Sequence, residues 1–381
     1  MKFIPYGKQS IDEKDIDAVV TVLKSDFLTQ GPAITRFEKA ISEYTGAKYC
    51  VVVANATAAL HIAVKSLNIE IGMEGITSPN TFVASSNCLI YNGLKPVFAD
   101  IEPDTYNINP NEIEKQITKK TKVIIPVHFA GRSCDMKNIN EIAKKNNLFV
   151  IEDAAHAIGS NHEDGTKVGN CKYSDMTIFS FHPVKTITTG EGGAITTNNK
   201  DLYEKLILLR SHGITKDPDL LTQNTGPWYY EMQDLGFNYR MTDIQAALGL
   251  TQLSKLETFK KRRNEIIQKY NSGLANLNWL KIPKTDKSDL CFHLYVVQID
   301  FEKIGKTRAT VMDFLKSKNI GSQVHYIPVH TQPYYKKNYG YNWGDYPLAE
   351  DYYQKALSLP LYPNLLEQDI ENIIKTVRSI T

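Results

Sequence analysis

Apolar residues recur at helical spacing over positions 11–24 and 34–44, which predicts two amphipathic helices at the start of the chain. A continuous apolar run at 49–53 then reads as a buried strand, and 57–67 returns to the helical period. The switch repeats. Short strands at 75–78 and 95–99 bracket a helix at 82–91, and strands at 123–127 and 148–151 bracket one near 139–145. Strands that are apolar throughout are buried on both faces. Their alternation with helices predicts a mainly parallel sheet with helices on either side. Such sheets bind ligands at the carboxyl ends of their strands, so residues just past a strand are the first candidates for chemistry.

The rhythm fails between 213 and 239. That stretch holds Pro218, Gly226 and Pro227, then Trp228-Tyr229-Tyr230, with no clear period. A loop this long inside a compact protein usually serves function or an interface. From Thr242, a suitable N-cap, to Tyr270 the pattern predicts one long helix. Beyond it, a strand at 292–299 and helices at 307–318 and 348–357 predict a second, smaller α/β domain, within which 323–330, polar and aromatic at alternate positions, has an ordinary strand and turn as its plainer reading. The division falls at 1–250 for the large domain and 251–381 for the small one.

Composition changes this picture little. Hydrophobic residues make up 42% and charged residues 23%, an ordinary globular balance. A net charge of +2 gives nucleic acid or an anionic membrane no general attraction, so an anionic ligand must be held by local groups. The five cysteines are scattered and form no C-x-x-C pair, which argues against disulfides and zinc and fits a reducing cytoplasm. No run approaches the roughly 18–20 apolar residues of a membrane span. The N-terminus lacks the pattern of a signal peptide.

Reactive groups gather at the strand ends. The run at 148–151 delivers Glu152, Asp153 and, three residues on, His156. An apolar stretch beginning near Met176 leads into Ser180-Phe181-His182-Pro183-Val184-Lys185, with Gly190-Glu191-Gly192-Gly193 close behind. An amine at one strand end and a carboxylate at another suit pyridoxal 5′-phosphate (PLP). The amine bonds the cofactor's carbonyl carbon, and the carboxylate keeps the pyridine nitrogen protonated so that the ring accepts electrons. Taken singly, each residue has a plainer reading: Asp153 as a helix cap, His156 as a core residue, Lys185 as a solvated loop lysine. Asn55-Ala56-Thr57 joins a strand to a helix, where free amides and the Thr57 hydroxyl make either a phosphate site or an ordinary cap. No G-x-x-x-x-G-K-[ST] occurs, and no G-x-G-x-x-G follows a strand, which removes the usual marks of nucleotide hydrolysis and Rossmann redox chemistry. No third ligand at a recognisable spacing joins His325 and His330, so no metal is expected.

Taken together, these motifs resemble those of the DegT-type sugar aminotransferases, PLP enzymes of fold-type I (aspartate-aminotransferase-like). The likeness spans essentially the whole chain. It runs through Gly31-Pro32, Ala56-Thr57-Ala58-Ala59-Leu60, Thr81-Phe82-Val83-Ala84 and Val127-His128-Phe129-Ala130-Gly131, and on through the motifs around Asp153, Lys185 and Gly190. It ends with Phe237-Asn238-Tyr239-Arg240 and His325-Tyr326-Ile327-Pro328. The resemblance implies that Lys185 is the Schiff-base residue and Asp153 the partner of the pyridine nitrogen. Phe82 would stack on the ring and His156 would sit beside its phenolic oxygen. Ala56, Thr57 and Ser180 would hold the phosphate. Asn238 would reach it from a neighbouring subunit, giving a homodimer with shared sites. Tyr6, Arg240, His325 and His330 are the candidates for sugar-nucleotide contacts, Arg240 for its fit to a diphosphate or carboxylate.

Within the family, positions 180–193, Arg210-Ser211-His212-Gly213 and 325–330 look most like one branch. That branch makes UDP-4-amino-4,6-dideoxy-N-acetyl-β-L-altrosamine on the route to pseudaminic acid. It implies transfer of the amino group of L-glutamate to a 4-keto-6-deoxy UDP-N-acetyl sugar; another nucleotide-linked 3- or 4-keto sugar is the alternative. A related sugar-dehydrating branch has histidine where Lys185 stands. A non-catalytic PLP-binding regulator would carry a DNA-binding helix-turn-helix module, for which no spare N-terminal stretch is available.

Overall fold

A computed structural model describes residues 2–223, 225–285 and 289–381. Helices α1 (Glu13–Leu23) and α2 (Pro32–Thr45) precede β1 (Tyr49–Val53), α3 (Ala56–Ser66), β2 (Glu74–Thr77), α4 (Ala84–Tyr91) and β3 (Lys95–Phe98). Then come α5 (Pro110–Gln116), β4 (Thr121–Ile125), α6 (Met136–Asn146), β5 (Phe149–Asp153), β6 (Met176–Ser180), β7 (Gly193–Thr197) and α7 (Lys200–Arg210). The seven strands form one sheet in the order β1-β7-β6-β5-β4-β2-β3. Strand β7 runs antiparallel to both neighbours, while β6, β5, β4, β2 and β3 pair in parallel.

The two faces of the sheet explain the uninterrupted apolar strands. Successive strand side chains point to opposite faces. Val51 and Val53 pack with Leu60 of α3 and Leu206 of α7, whereas Val52 packs with Phe37 of α2 and with Phe179. Both faces are covered, so every position of such a strand is buried and apolar. The expectation of a mainly parallel, doubly covered sheet agrees with this architecture.

Within the irregular stretch at 213–239, β8 (Ile214–Thr215) and β9 (Glu231–Met232) form a small antiparallel ladder. The single helix expected over 242–270 is instead two, α8 (Asp243–Ser254) and α9 (Leu256–Leu274). They break at Lys255, whose ammonium reaches Asp12 (3.0 Å) and Asp15 (2.5 Å) at the start of α1. Apolar spacing carries on through the break without glycine or proline, so local pattern does not mark it. Thr242 does cap α8, in a capping box with Gln245.

The small domain adds β10 (Leu280–Lys281), β11 (Tyr295–Ile299), α10 (Arg308–Ser317), α11 (Pro333–Tyr339), α12 (Pro347–Lys355), β12 (Ala356–Leu359) and α13 (Glu367–Arg378). Its antiparallel sheet, β10-β11-β12, shares a core with Ile266 and Tyr270 of α9, Ile373 of α13 and Ile4 from the N-terminal segment. The division placed at 250/251 falls inside α8, which packs on α1 and α2. The side chains change allegiance later, within α9, between Phe259 and Ile266. Within 323–330, Gln323 makes an isolated bridge to Ser358, and a 3₁₀ turn follows at Val329–Thr331. All five cysteines are free and buried. Among the described residues, no helix is long and apolar enough to cross a membrane.

Candidate active site

Strands β5 and β6 are parallel, and β7 brings the end of β1 to the same edge, since Gly193 pairs with both Val53 and Ser180. The segments leaving these strands open onto one cavity of about 970 Å³. Tyr6, Ala56, Thr57, Phe82, Asp153, His156, Ser180, Lys185 and His325 all line it. Residues from three strand ends and from the small domain therefore meet in one place.

Three candidates lie elsewhere. His330 is fully buried, hydrogen-bonded to Glu350 (2.8 Å) and packed near Phe98 and Tyr346, so it belongs to the core and not to a substrate surface. Arg240 lines a separate pocket of about 220 Å³ together with Glu38 and Arg210. Asn238 is bridged to Ser211 and does not line the cavity of its own subunit.

Asp153 ends β5 with its carboxylate buried. Its Oδ2 accepts from the Ser85 hydroxyl (2.6 Å) and its Oδ1 from the Ala155 amide (3.1 Å), which together fix its orientation. On the other side of the strand, Glu152 accepts from Ser174 (2.5 Å) and Thr177 (3.1 Å) and meets His128 Nε2 at 2.7 Å. Burial pushes the Glu152 carboxyl up, but His162, His128 and Ser174 outweigh it and hold it at about 2. His128, Glu152 and His162 lie within 4.8 Å of one another and form a polar knot that braces the strand end.

Lys185 follows the end of β6. Burial brings its ammonium down to about 8, against the opposing pull of the Asp153 charge. Its neighbours cooperate. Burial, together with the Lys185 charge, pushes His325 down to about 3 and His156 and His293 well below the usual imidazole range. The amine thus faces neutral rings, and below pH 8 it still keeps a useful unprotonated fraction. In cofactor-free protein, acylation of Lys185 is expected to accelerate as pH rises through about 8. Peptide mass mapping of the labelled protein checks this; onset only near the ordinary lysine value would mean that the amine is solvated.

The start of α3 supplies the anion site. Asn55 Oδ1 accepts from the Ala58 amide (2.8 Å), leaving the first two amides, of Ala56 and Thr57, without an intrahelical acceptor. The hydroxyls of Thr57 and Ser180 have no hydrogen-bond partner among the described residues, and both residues line the cavity. Gly193 makes this closeness possible. A Cβ there would sit 2.7 Å from both the Ala56 nitrogen and the Asn55 carbonyl carbon. Gly193→Ala should therefore displace the start of α3, destabilise the fold by about 1–3 kcal/mol and weaken cofactor binding. Thermal unfolding and a PLP titration measure the two effects; wild-type affinity would separate α3 from the phosphate.

His156 sits with Nδ1 3.3 Å from the Ala130 amide and Nε2 3.0 Å from the Tyr326 hydroxyl. Its ring lies 4.6 Å from that of His293. Ser85, Tyr326 and His293 are cavity residues that sequence reasoning missed. Tyr326 stood inside a motif already noted and Ser85 directly after one, but their partners are 170 and 68 residues away, beyond any local signal.

A carboxylate, a partly neutral amine, an exposed Phe82 ring and unpartnered donors at a helix start are the groups that PLP requires. The residues fit that cofactor. The profile of the DegT/DnrJ/EryC1/StrS aminotransferase family matches residues 9–378. The spore coat polysaccharide biosynthesis protein SpsC of Bacillus subtilis is 42% identical over 380 residues, covering 99% of this chain and 97% of SpsC. Helicobacter pylori PseC, an aminotransferase involved in the biosynthesis of pseudoaminic acid, superposes with a TM-score of 0.91 at 33% identity, over 100% of this chain and 99% of PseC. The PLP form of Spr1654 from Streptococcus pneumoniae gives a TM-score of 0.90 at 31% identity, over 99% and 98% of the two chains. The fold is that of the PLP-dependent aminotransferases. The chain belongs to the DegT/DnrJ/EryC1/StrS aminotransferase family, and pyridoxal 5′-phosphate is its cofactor.

Proposed function

We propose that the enzyme moves the amino group of L-glutamate to the keto carbon of a 4-keto-6-deoxy UDP-N-acetyl sugar, in the manner that leads to pseudaminic acid. The observation that carries amino transfer is the Lys185 amine, held near pKa 8, in one cavity with the Asp153 carboxylate. The sugar rests on the whole-chain likeness to PseC. A cavity of about 970 Å³ has room for a sugar nucleotide beside the cofactor.

When bound, PLP supplies an electron sink for the charge left when a proton leaves the amino-bearing carbon. Asp153, held by Ser85 and the Ala155 amide, keeps a proton on the ring nitrogen and so deepens that sink. Lys185 takes the proton from the glutamate carbon and returns it on the other side of the bond, first as base and then as acid. With the keto sugar it runs the same transfer in reverse. The Ala56 and Thr57 amides and the Thr57 and Ser180 hydroxyls hold the phosphate. Tyr6 and His325, with rings 5.4 Å apart, face the sugar side.

The same reading makes the protein a cytoplasmic homodimer in which Asn238 serves the neighbouring subunit's phosphate. Asn238 does not line the cavity of its own subunit, and the loop before it exposes Trp228, Met232 and Leu235. Exposed apolar clusters of this kind mark interfaces.

A second reading is favoured by one observation: SpsC, at 42% identity, resembles the chain more in sequence than PseC does at 33%. On that reading the substrate is another nucleotide-linked keto sugar destined for a surface polysaccharide. Incubation with glutamate and a set of UDP- and dTDP-linked 3- and 4-keto sugars, followed by mass analysis, decides. The proposal expects the 4-amino UDP-N-acetyl product; amination of a different sugar alone would replace it with the second reading.

A further inference from the structure

The hydrogen bonds around His156 can be assigned a direction. The Ala130 amide can only donate, so His156 Nδ1 accepts and carries no proton. Burial keeps the ring neutral, so its single proton lies on Nε2. That N–H donates to the oxygen of Tyr326 at 3.0 Å. Both nitrogens of His156 are then engaged within the protein, and it has no donor left for a ligand.

Tyr326 is in the opposite position. Its oxygen accepts from His156, while its own O–H has no acceptor among the described residues. The ring lines the cavity, 6.4 Å from Phe82, and lies within electrostatic range of Asp153. Burial and the Asp153 charge keep the phenol protonated. Of the side chains hydrogen-bonded to segment 153–156, Ser85 gives its proton to Asp153, and Tyr326 alone retains one to give.

PLP carries its phenolic oxygen on the ring edge away from the phosphate arm, beside the carbon that meets the lysine. With the phosphate at α3 and the ring nitrogen at Asp153, that oxygen needs a donor on a different wall from α3. We infer that Tyr326, and not His156, donates the hydrogen bond to the cofactor's phenolic oxygen, and that His156 is the residue that positions it. His156 acts through its N–H on the Tyr326 oxygen, which turns the phenol proton toward the cavity.

The test is spectroscopic. A donor to the phenolic oxygen draws off negative charge that otherwise holds a proton near the Lys185 nitrogen. In PLP-loaded Tyr326→Phe, the pH midpoint of the visible cofactor band should rise by about one to two units, the size of a charge-assisted hydrogen bond. His156→Phe keeps the phenol but not its orientation, and should move the midpoint the same way by less. An unmoved midpoint in Tyr326→Phe would overturn the inference. A crystal structure of the wild-type holoenzyme covers the case in which that variant fails to fold or bind. It should show the Tyr326 oxygen within hydrogen-bonding distance of the phenolic oxygen; His156 Nε2 in that place would overturn the assignment. The inference rests on PLP occupying this cavity, which is checked separately by the response of the band to glutamate. A variant that still responds to glutamate with an unshifted midpoint counts against Tyr326 alone.

Discussion

Lys185→Ala is expected to fold normally, to lose the visible band that depends on the lysine–cofactor bond, and to lose amino transfer by at least about 10⁴-fold. The size follows from what the side chain does. Among the described residues it is the one amine that lines the cavity, and burial holds it near pKa 8 with neutral imidazoles around it. Truncation removes both the attachment point and the base that moves the proton. Stability should change little, because removing a desolvated ammonium relieves a cost as well as removing contacts. Release of 2-oxoglutarate from glutamate in a single turnover is the measurement. Release at the wild-type rate would show that another group moves the proton.

Asp153→Asn should retain the cofactor and lose turnover by about 10²–10⁴-fold. The amide is close to isosteric and its oxygen can still accept from Ser85 or the Ala155 amide, so the local structure has reason to persist. What disappears is the negative charge that keeps the ring nitrogen protonated. The slowed step should therefore be loss of the proton from the glutamate carbon. Glutamate deuterated at that carbon should show an enlarged isotope effect in the variant. A near-wild-type rate would reduce Asp153 to the strand-end cap that is its plainer reading.

Much of this site was legible in the chain for one physical reason. Parallel strands covered on both faces must be apolar throughout, so Asp153, Ser180 and the approach to Lys185 stand out as polar groups just past such runs. The start of α3 was legible too, because Asn55 caps it and leaves two amides free. Other features depend on partners remote in the chain. Ser85 matters through Asp153, and Tyr326 through His156, and no periodicity records either pairing. His330 is the reverse case: a candidate for sugar-nucleotide contact from the resemblance, it is buried and bonded to Glu350, a partner no local pattern records. The break between α8 and α9 is tertiary in the same sense, being made where Lys255 reaches Asp12 and Asp15.

The central claim is that the Lys185 amine and the Asp153 carboxylate meet one pyridine ring. A crystal structure of the holoenzyme after borohydride reduction tests it most directly, since reduction makes the lysine–cofactor bond permanent. The expected density joins the cofactor to Lys185 Nζ, with a carboxylate oxygen of Asp153 at hydrogen-bonding distance from the ring nitrogen. Attachment to any other lysine, or a ring nitrogen facing away from Asp153, would contradict it.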